Sequence, residues 1–437
     1  MPISNITLNH LNTSEPDFED RLAKLLQRDM IVSDDVTTIV SDILQQVKTR
    51  GDAAVLEYTN QFDFGAESMG DLLVSPELMQ EALDGISNEQ RDALTHAAER
   101  IRAYHEKQKQ GSWTYKEADG SVYGQKISPL KRVGVYVPGG KANYPSSMLM
   151  LAIPAQVAGV KEITATVPTI YGEEGRLVFA AAALAGVTQL YTIGGAQAIA
   201  ALAYGTQTIE KVDKIAGPGN IFVTVAKKLV FGEVGIDMIA GPSELTIICD
   251  GKTNPDWIAM DLFSQAEHDE QAQSILIASD AGFLEEVKRS IDRLLPTMSR
   301  REIICESMSN RGIFIQVKDL QEAAVVSNLI APEHLEISVE DPDALLESID
   351  NAGAIFMGRY SAEALGDYCA GPSHVLPTSG SAKFFSALGV YDFQKRSSII
   401  NCSKAGAHIL AGTAAAIARD EHLEAHALSA EYRLKRR

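Results

Sequence analysis

The sequence has no pair of cysteines at disulfide or metal-binding spacing. Its four cysteines, Cys249, Cys305, Cys369 and Cys402, are far apart and form no CxxC motif. This excludes a thiolate zinc framework and reads as reduced thiols in a cytoplasmic protein. No uninterrupted apolar run reaches membrane-spanning length. The opening residues, MPISNITLNHLNTSEPDFED, lack the apolar core and basic flank of a signal peptide. Basic residues are scarce: 39 Lys and Arg against 58 Asp and Glu leave a formal net charge of −19. Phosphates would be repelled, so neither nucleic acid nor an anionic membrane is an expected partner. No GxGxxG follows a strand-like run and no HExxH occurs, so the usual dinucleotide fingerprint and the single-helix zinc motif are both missing.

What is present is the pattern of a globular enzyme. The 437 residues are 45% hydrophobic and 22% charged, enough for two or three domains. Up to about Gly124 the chain reads as mostly amphipathic helix, with His96 and His105 as surface or packing residues. From about Val133 short apolar runs alternate with helical ones. RVGVYV, EITATV, LYTIGG and VDKIAG are strand-like, as are ELTIICD, SILIASD, GIFIQV, HLEISV and GAIFMG further on. Near-continuous apolar strands separated by helices indicate parallel sheets covered on both faces. The expected fold is therefore α/β: two doubly wound, incomplete Rossmann-like domains with helical N-terminal and C-terminal extensions. The expected boundaries are 1–125 for the helical region, 126–241 and 242–380 for the two α/β domains, and 381–437 for the tail. That tail reads as one amphipathic helical stretch from Lys404, interrupted around Gly412.

Residues with catalytic potential gather in the second half. TNPDWIAMDLFSQAEHDE reads as a helix, and Gln265 and His268, three apart, would share one face and could aim two ligating atoms at one point. Taken alone, the same spacing fits a solvated helix end. A zinc site without thiolates needs nitrogen and oxygen ligands converging from separate segments. Asp367 in LGDYCAGPSH and a histidine of the terminal EHLEAH are further candidates; His422 and His426, four apart, leave open whether both or neither bind. In APEHLEI, Glu333 and His334 follow Pro332 in a loop before a strand, where a carboxylate and an imidazole could divide acid–base work. The glycines of VYVPGG, IGGAQAIA and AGPGN lie at strand ends, where backbone can approach a phosphate.

Together VGVYVPGGKANYPSSMLM, GGAQAIAALAYGT, KIAGPGN, AGPSE, DLFSQAEHD, APEHLEI, GDYCAGPSHVLPTSG and EHLEAH, in this order, resemble the histidinol dehydrogenase family from about Gly51 to the C-terminus. The resemblance implies one zinc ion per subunit held by Gln265, His268, Asp367 and His426, with His422 a spacer. It implies Glu333 and His334 as the catalytic pair. Substrate contacts would come from Ser243, His374 and Glu421, besides His334 and the metal ligands. NAD+ would be met by Tyr136, Gln197 and Asn220, on an incomplete Rossmann fold that needs no GxGxxG. The implied reaction takes L-histidinol through the aldehyde to L-histidine with two NAD+. The implied assembly is a homodimer whose tails complete each other's sites. Two departures stand out: Ser373 in GPSH and Leu151 in YPSSMLMLAIP, where relatives commonly carry Asn. The rival readings are a zinc amidohydrolase, with Glu333 activating a metal-bound water, and a sibling NAD-dependent dehydrogenase of another small alcohol.

Overall fold

The computed structural model describes residues 6–27, 34–63, 65–139, 144–168 and 173–434. Its fifteen strands, in chain order, are β1 (Asn9–Asn12), β2 (Leu73–Val74), β3 (Trp113–Lys116), β4 (Val122–Pro129), β5 (Arg132–Tyr136), β6 (Glu162–Thr166), β7 (Gln189–Tyr191), β8 (Lys214–Ala216), β9 (Gly235–Ile236), β10 (Glu244–Cys249), β11 (Gln273–Ala278), β12 (Ile313–Gln316), β13 (His334–Ser338), β14 (Ala354–Met357) and β15 (Gln394–Asn401). All nine apolar runs read as strands from the sequence are strands. They lie in two six-stranded sheets, ordered β2-β7-β6-β5-β8-β9 and β1-β12-β11-β10-β13-β14, where all but the edge strand β14 are central. The second sheet is parallel throughout; in the first, only β2 runs antiparallel, against β7. Every residue of β10 and β11 is buried, as expected of strands covered by helices on both faces.

The helices follow from the same pattern. Pro145–Ala158 and Gly195–Tyr204 are apolar all round and almost wholly buried, which is what a helix enclosed on all sides requires. The N-terminal residues add a strand to each sheet: β1 extends the second beside β12, and β2 the first beside β7. A third, antiparallel sheet, β15-β4-β3, was not anticipated. Its residues are largely exposed or half-buried, so no apolar stripe announces it. The tail also differs from expectation. The helix Lys404–Asp420 runs unbroken through Gly412, and the chain turns instead at His422, whose φ is +58°, before the helix Glu424–Glu431.

Strand order places two reversal points. In the first sheet the chain passes from β5 outward to β7 and returns beside β5 as β8; in the second it passes from β10 to β12 and returns beside β10 as β13. The carboxyl end of the first sheet and the amino end of the second meet. Ser147, in the first turn of the helix after β5, shares a 3.1 Å hydrogen bond with His374.

Candidate active site

Gln265 lies in the last turn of the helix Pro255–Ala266, which Asn254 caps by accepting the Asp256 N–H. The side chain of Gln265 is wholly buried, yet among the described residues neither its amide oxygen nor its amide nitrogen has a hydrogen-bond partner. The helix stops at Ala266, so His268 sits in the following turn, its N–H 3.3 Å from the Gln265 carbonyl. The expectation of one shared helical face is corrected: a turn, not a helix, brings the pair inward. Burial first of all lowers the pKa of His268, which lies within electrostatic reach of Asp367 and His334.

The helix Leu320–Ile330 ends at Ala331, in a left-handed conformation (φ +51°), and Pro332 follows. Glu333 and His334 are 5% and 3% exposed, and His334 is itself the first residue of β13 rather than part of the loop. Glu333 accepts the Glu244 N–H at 2.8 Å, and His334 Nδ1 lies 3.0 Å from the Glu244 carbonyl. A carbonyl only accepts, so Nδ1 carries hydrogen and Nε2 is the atom turned to Asp367 Oδ1, 3.3 Å away. Two acceptors at that distance require a proton or another cation between them. Burial works against charge on His334, but Glu363, Glu333 and Asp367 outweigh it and raise its pKa well above the usual value. Burial pushes the Glu333 carboxyl up to about 8.

Asp367 is the second residue of the single wide turn Gly366–Ala370, of the π type that recurs at functional sites. Four residues earlier, Glu363 was missed in the sequence. It is 2% exposed, its Oε1 lies 3.5 Å from His334 Nδ1, and its Oε2 accepts from the Ser264 hydroxyl at 3.3 Å. Burial raises it to about 8. Ligand atoms of His334, Glu363 and Asp367 all lie within 4.8 Å of one another, the one such cluster of His, Cys, Asp and Glu among the described residues. Behind Glu363, Glu336 of β13 is also buried and accepts the Glu363 N–H at 2.7 Å.

The other candidates distribute as follows. His374 Nδ1 donates to the Asp367 carbonyl at 2.9 Å, which leaves Nε2 to accept from Ser147. Ser243 is half-buried in the loop entering β10. Ser373 is buried with its hydroxyl accepting the Val375 N–H, and Leu151 is a fully buried core residue, so the second departure is one of packing. Glu421 and His426 are exposed on the tail, and His426 joins no ligand cluster among the described residues. Beside the first six-stranded sheet, the Tyr136 hydroxyl accepts the Gly195 N–H at 3.2 Å, and burial raises its pKa to about 12. Gln197 is 1% exposed and donates to Asp63 at 3.3 Å. Asn220 is exposed and caps the helix Ile221–Val230 through its side-chain oxygen.

Residues 26–434 match the family model described as histidinol dehydrogenase. The histidinol dehydrogenase of Pseudomonas aeruginosa is 62% identical over 428 residues, 98% of this chain and 97% of that protein. The chain belongs to the histidinol dehydrogenase family. The Dechloromonas aromatica histidinol dehydrogenase is 58% identical over 431 residues, covering 98% of this chain and all of the relative. The crystal structure of histidinol dehydrogenase from Elizabethkingia anophelis superposes with a TM-score of 0.91 at 34% identity, over 98% of each chain. Histidinol dehydrogenases are oxidoreductases, and the α/β architecture is that of the family.

A metal of the kind expected for a histidinol dehydrogenase can be tested against the side chains. Buried polar groups are almost always paired. Among the described residues, Gln265 Oε1 and Nε2 have no hydrogen-bond partner, Asp367 Oδ1 faces only His334 Nε2 at 3.3 Å, and the half-buried His268 lies within electrostatic reach of Asp367. A neutral amide oxygen, a carboxylate and an imidazole suit zinc or a similar divalent ion. The donor set fits.

Proposed function

We propose that this protein is a zinc-dependent L-histidinol dehydrogenase that oxidises L-histidinol to L-histidinaldehyde and then to L-histidine, consuming two NAD+ in the last steps of histidine synthesis. The observation that carries the reading is the buried Glu333–His334 pair, with Asp367 Oδ1 3.3 Å from His334 Nε2, together with the buried Gln265 amide that has no partner among the described residues, in a chain of this family. Gln265, His268 and Asp367 would hold the zinc, with His426 supplied by a second subunit. When bound, zinc would orient the substrate through its nitrogens, and NAD+ would accept hydride. Residues 126–241 would carry the nucleotide, met by Tyr136, Gln197 and Asn220; residues 242–380 would carry the metal and catalytic residues, with 1–125 and 381–437 as extensions.

The chain's own residues divide the proton work. In its neutral form His334 Nε2 takes the alcohol proton as hydride leaves the carbinol carbon. Glu333, buried beside it, removes a proton from the water that adds to the aldehyde, and the hydrate loses the second hydride as His334 again takes a hydroxyl proton. Each turnover adds one water, passes two hydrides to two NAD+ and releases three protons. Ser243, His374 and Glu421 would complete the substrate pocket. Enclosure keeps the reactive aldehyde from solvent.

A homodimer with exchanged tails is part of the reading. The two tail helices pack on each other through Ala415, Ala418 and Ala427, while Ile409, Leu410, Ile417, Leu423 and Tyr432 remain exposed. An amphipathic helix needs a partner for such a face, and a symmetric copy is the commonest one. A cytoplasmic location also belongs to the reading, supported by four cysteines of which none is in a disulfide. Growth of near-ultraviolet absorbance from NADH on mixing the purified protein with L-histidinol, NAD+ and zinc tests the proposal. Turnover of an amide without NAD+ would replace it with the amidohydrolase, and preference for another alcohol with the sibling dehydrogenase.

A further inference from the structure

Gly217 directly follows β8 at the reversal point of the first sheet, where an α/β sheet positions its ligand loops. Its φ is +127°, and a Cβ there would fall 2.0 Å from the carbonyl oxygen of Tyr136, so only glycine fits against the end of β5. Both polar groups of this residue go to side chains. The Gly217 N–H donates to Asp237 Oδ2 at 2.7 Å, and the Gly217 carbonyl accepts from Lys227 Nζ at 2.8 Å. Lys227 and Asp237 are ion-paired with each other, with side chains only 3% and 1% exposed. Lys227 comes from the helix Ile221–Val230, and Asp237 follows β9, so three consecutive elements meet on this single residue.

A buried ion pair contributes little net stability, because desolvating both charges costs about what their attraction returns; apolar replacements of similar volume are often neutral or better. Its effect here is on placement. Gly217 leads into Pro218, Gly219 and Asn220. Gly219 is pressed on Val223, whose Cγ1 would lie 2.4 Å from an added Cβ, and Asn220 spends its side-chain oxygen on the N–H groups of Phe222 and Val223. The Asn220 amide nitrogen has no partner among the described residues and is exposed. The turn is thus fixed at both ends, with a donor presented at its tip and Tyr136 at its flank.

We propose that Lys227 and Asp237 are positioning residues for the nucleotide: they clamp Gly217 so that Asn220 and Tyr136 meet NAD+ in register. This rests on the NAD+ reading of the first domain. The test uses full-length, zinc-loaded protein and the double variant Lys227→Met/Asp237→Leu, which leaves no unpaired buried charge. It should fold and hold zinc as the parent does, keep its KM for L-histidinol within about twofold, and raise its KM for NAD+ by about tenfold or more, the scale of loss from a small misplacement. Lys227→Arg, which keeps the charge pair, should give a smaller rise. An unchanged KM for NAD+ in the folded double variant overturns the clamp, and a double variant that fails to fold does so too, since it assigns the pair to stability. Calorimetric titration of the unmodified protein with NAD+ separates the two readings: absence of binding there refutes the nucleotide site itself, whereas equal binding by parent and variant refutes only the clamp.

Discussion

Replacing Gln265 by Leu should change the sign of the stability difference between variant and parent according to whether zinc is present. The amide of Gln265 is wholly buried, with neither polar atom paired among the described residues. An unsatisfied buried polar group costs about 1–3 kcal/mol. Leucine removes that cost, and its different shape returns up to about 1.5 kcal/mol of strain in a close-packed site. The metal-free variant should therefore be more stable than the parent by about 1 kcal/mol. With zinc at a thousand times its dissociation constant, the parent gains about 4 kcal/mol and the variant, short of one ligand, far less. Urea unfolding followed by circular dichroism, with chelator and then with zinc, reads both differences. A Leu variant that is the weaker of the two without metal would mean that Gln265 is satisfied in the native protein. A variant stabilised by zinc as strongly as the parent would remove Gln265 from the ligand set.

Chelation should abolish turnover while leaving the secondary structure largely intact, because two six-stranded sheets bury their own cores without zinc; cooperative loss of the helical signal on adding chelator would contradict this. Glu333→Gln should spare alcohol oxidation and slow aldehyde oxidation, whereas His334→Asn should slow both, as measured by supplying the two substrates separately; equal losses for Glu333→Gln would sink its role. Glu336→Gln should flatten the pH dependence of stability in metal-free protein. Burial raises the pKa of Glu336, of Glu363 to about 8 and of Asp261 to about 6, so the folded state holds these protons more tightly than the unfolded chain. Stability is then lost as pH climbs from about 4 through 8, and the variant should gain on the parent over that window; a constant difference would show Glu336 to be ionised in the fold. Mixed and refolded His268→Ala and His426→Ala chains should regain activity if tails are exchanged, since a heterodimer holds one site with both residues intact, and should stay inactive if each site is built within one chain.

The central strands were legible because burial on both faces forces near-continuous apolar runs, short enough and regularly enough separated to be told from the longer apolar helices between them. The rest lacked that constraint. β1, an edge strand, buries only Leu11 of its four residues, and β3 buries none, so neither shows a period. Gly412 misled for the opposite reason. A single glycine inside a helix costs only about 1 kcal/mol, and here the alanine-rich flanks carry the helix across it, with nothing within 4 Å of where its side chain would be. The break falls at His422, a residue with no turn signal, where the left-handed φ lets the last helix fold back on the one before.

The acidic residues of the site show where motif reading stops and packing has to take over. SQAEH, PEH and GDY point to ligands and bases because those residue types cluster in short polar stretches that interrupt apolar ones. Glu363 and Glu336 interrupt nothing conspicuous. In HLEIS, a glutamate two residues after His334 looks like the solvated position of an alternating strand. Yet a strand at the centre of a parallel sheet has no solvated face, and β13 pairs on both sides, with β10 and β14. Once both faces are covered, Glu336 must be buried, and burial favours its protonated form while it still needs hydrogen-bond partners. It accepts the Glu363 N–H, at the start of the short helix that leads into the turn carrying Asp367. The same two premises, a parallel sheet and an acid at mid-strand, were both present in the sequence. Their conjunction puts Glu336 in the core without any motif; the steps from Glu336 to Glu363 and on to Asp367 come from the packing.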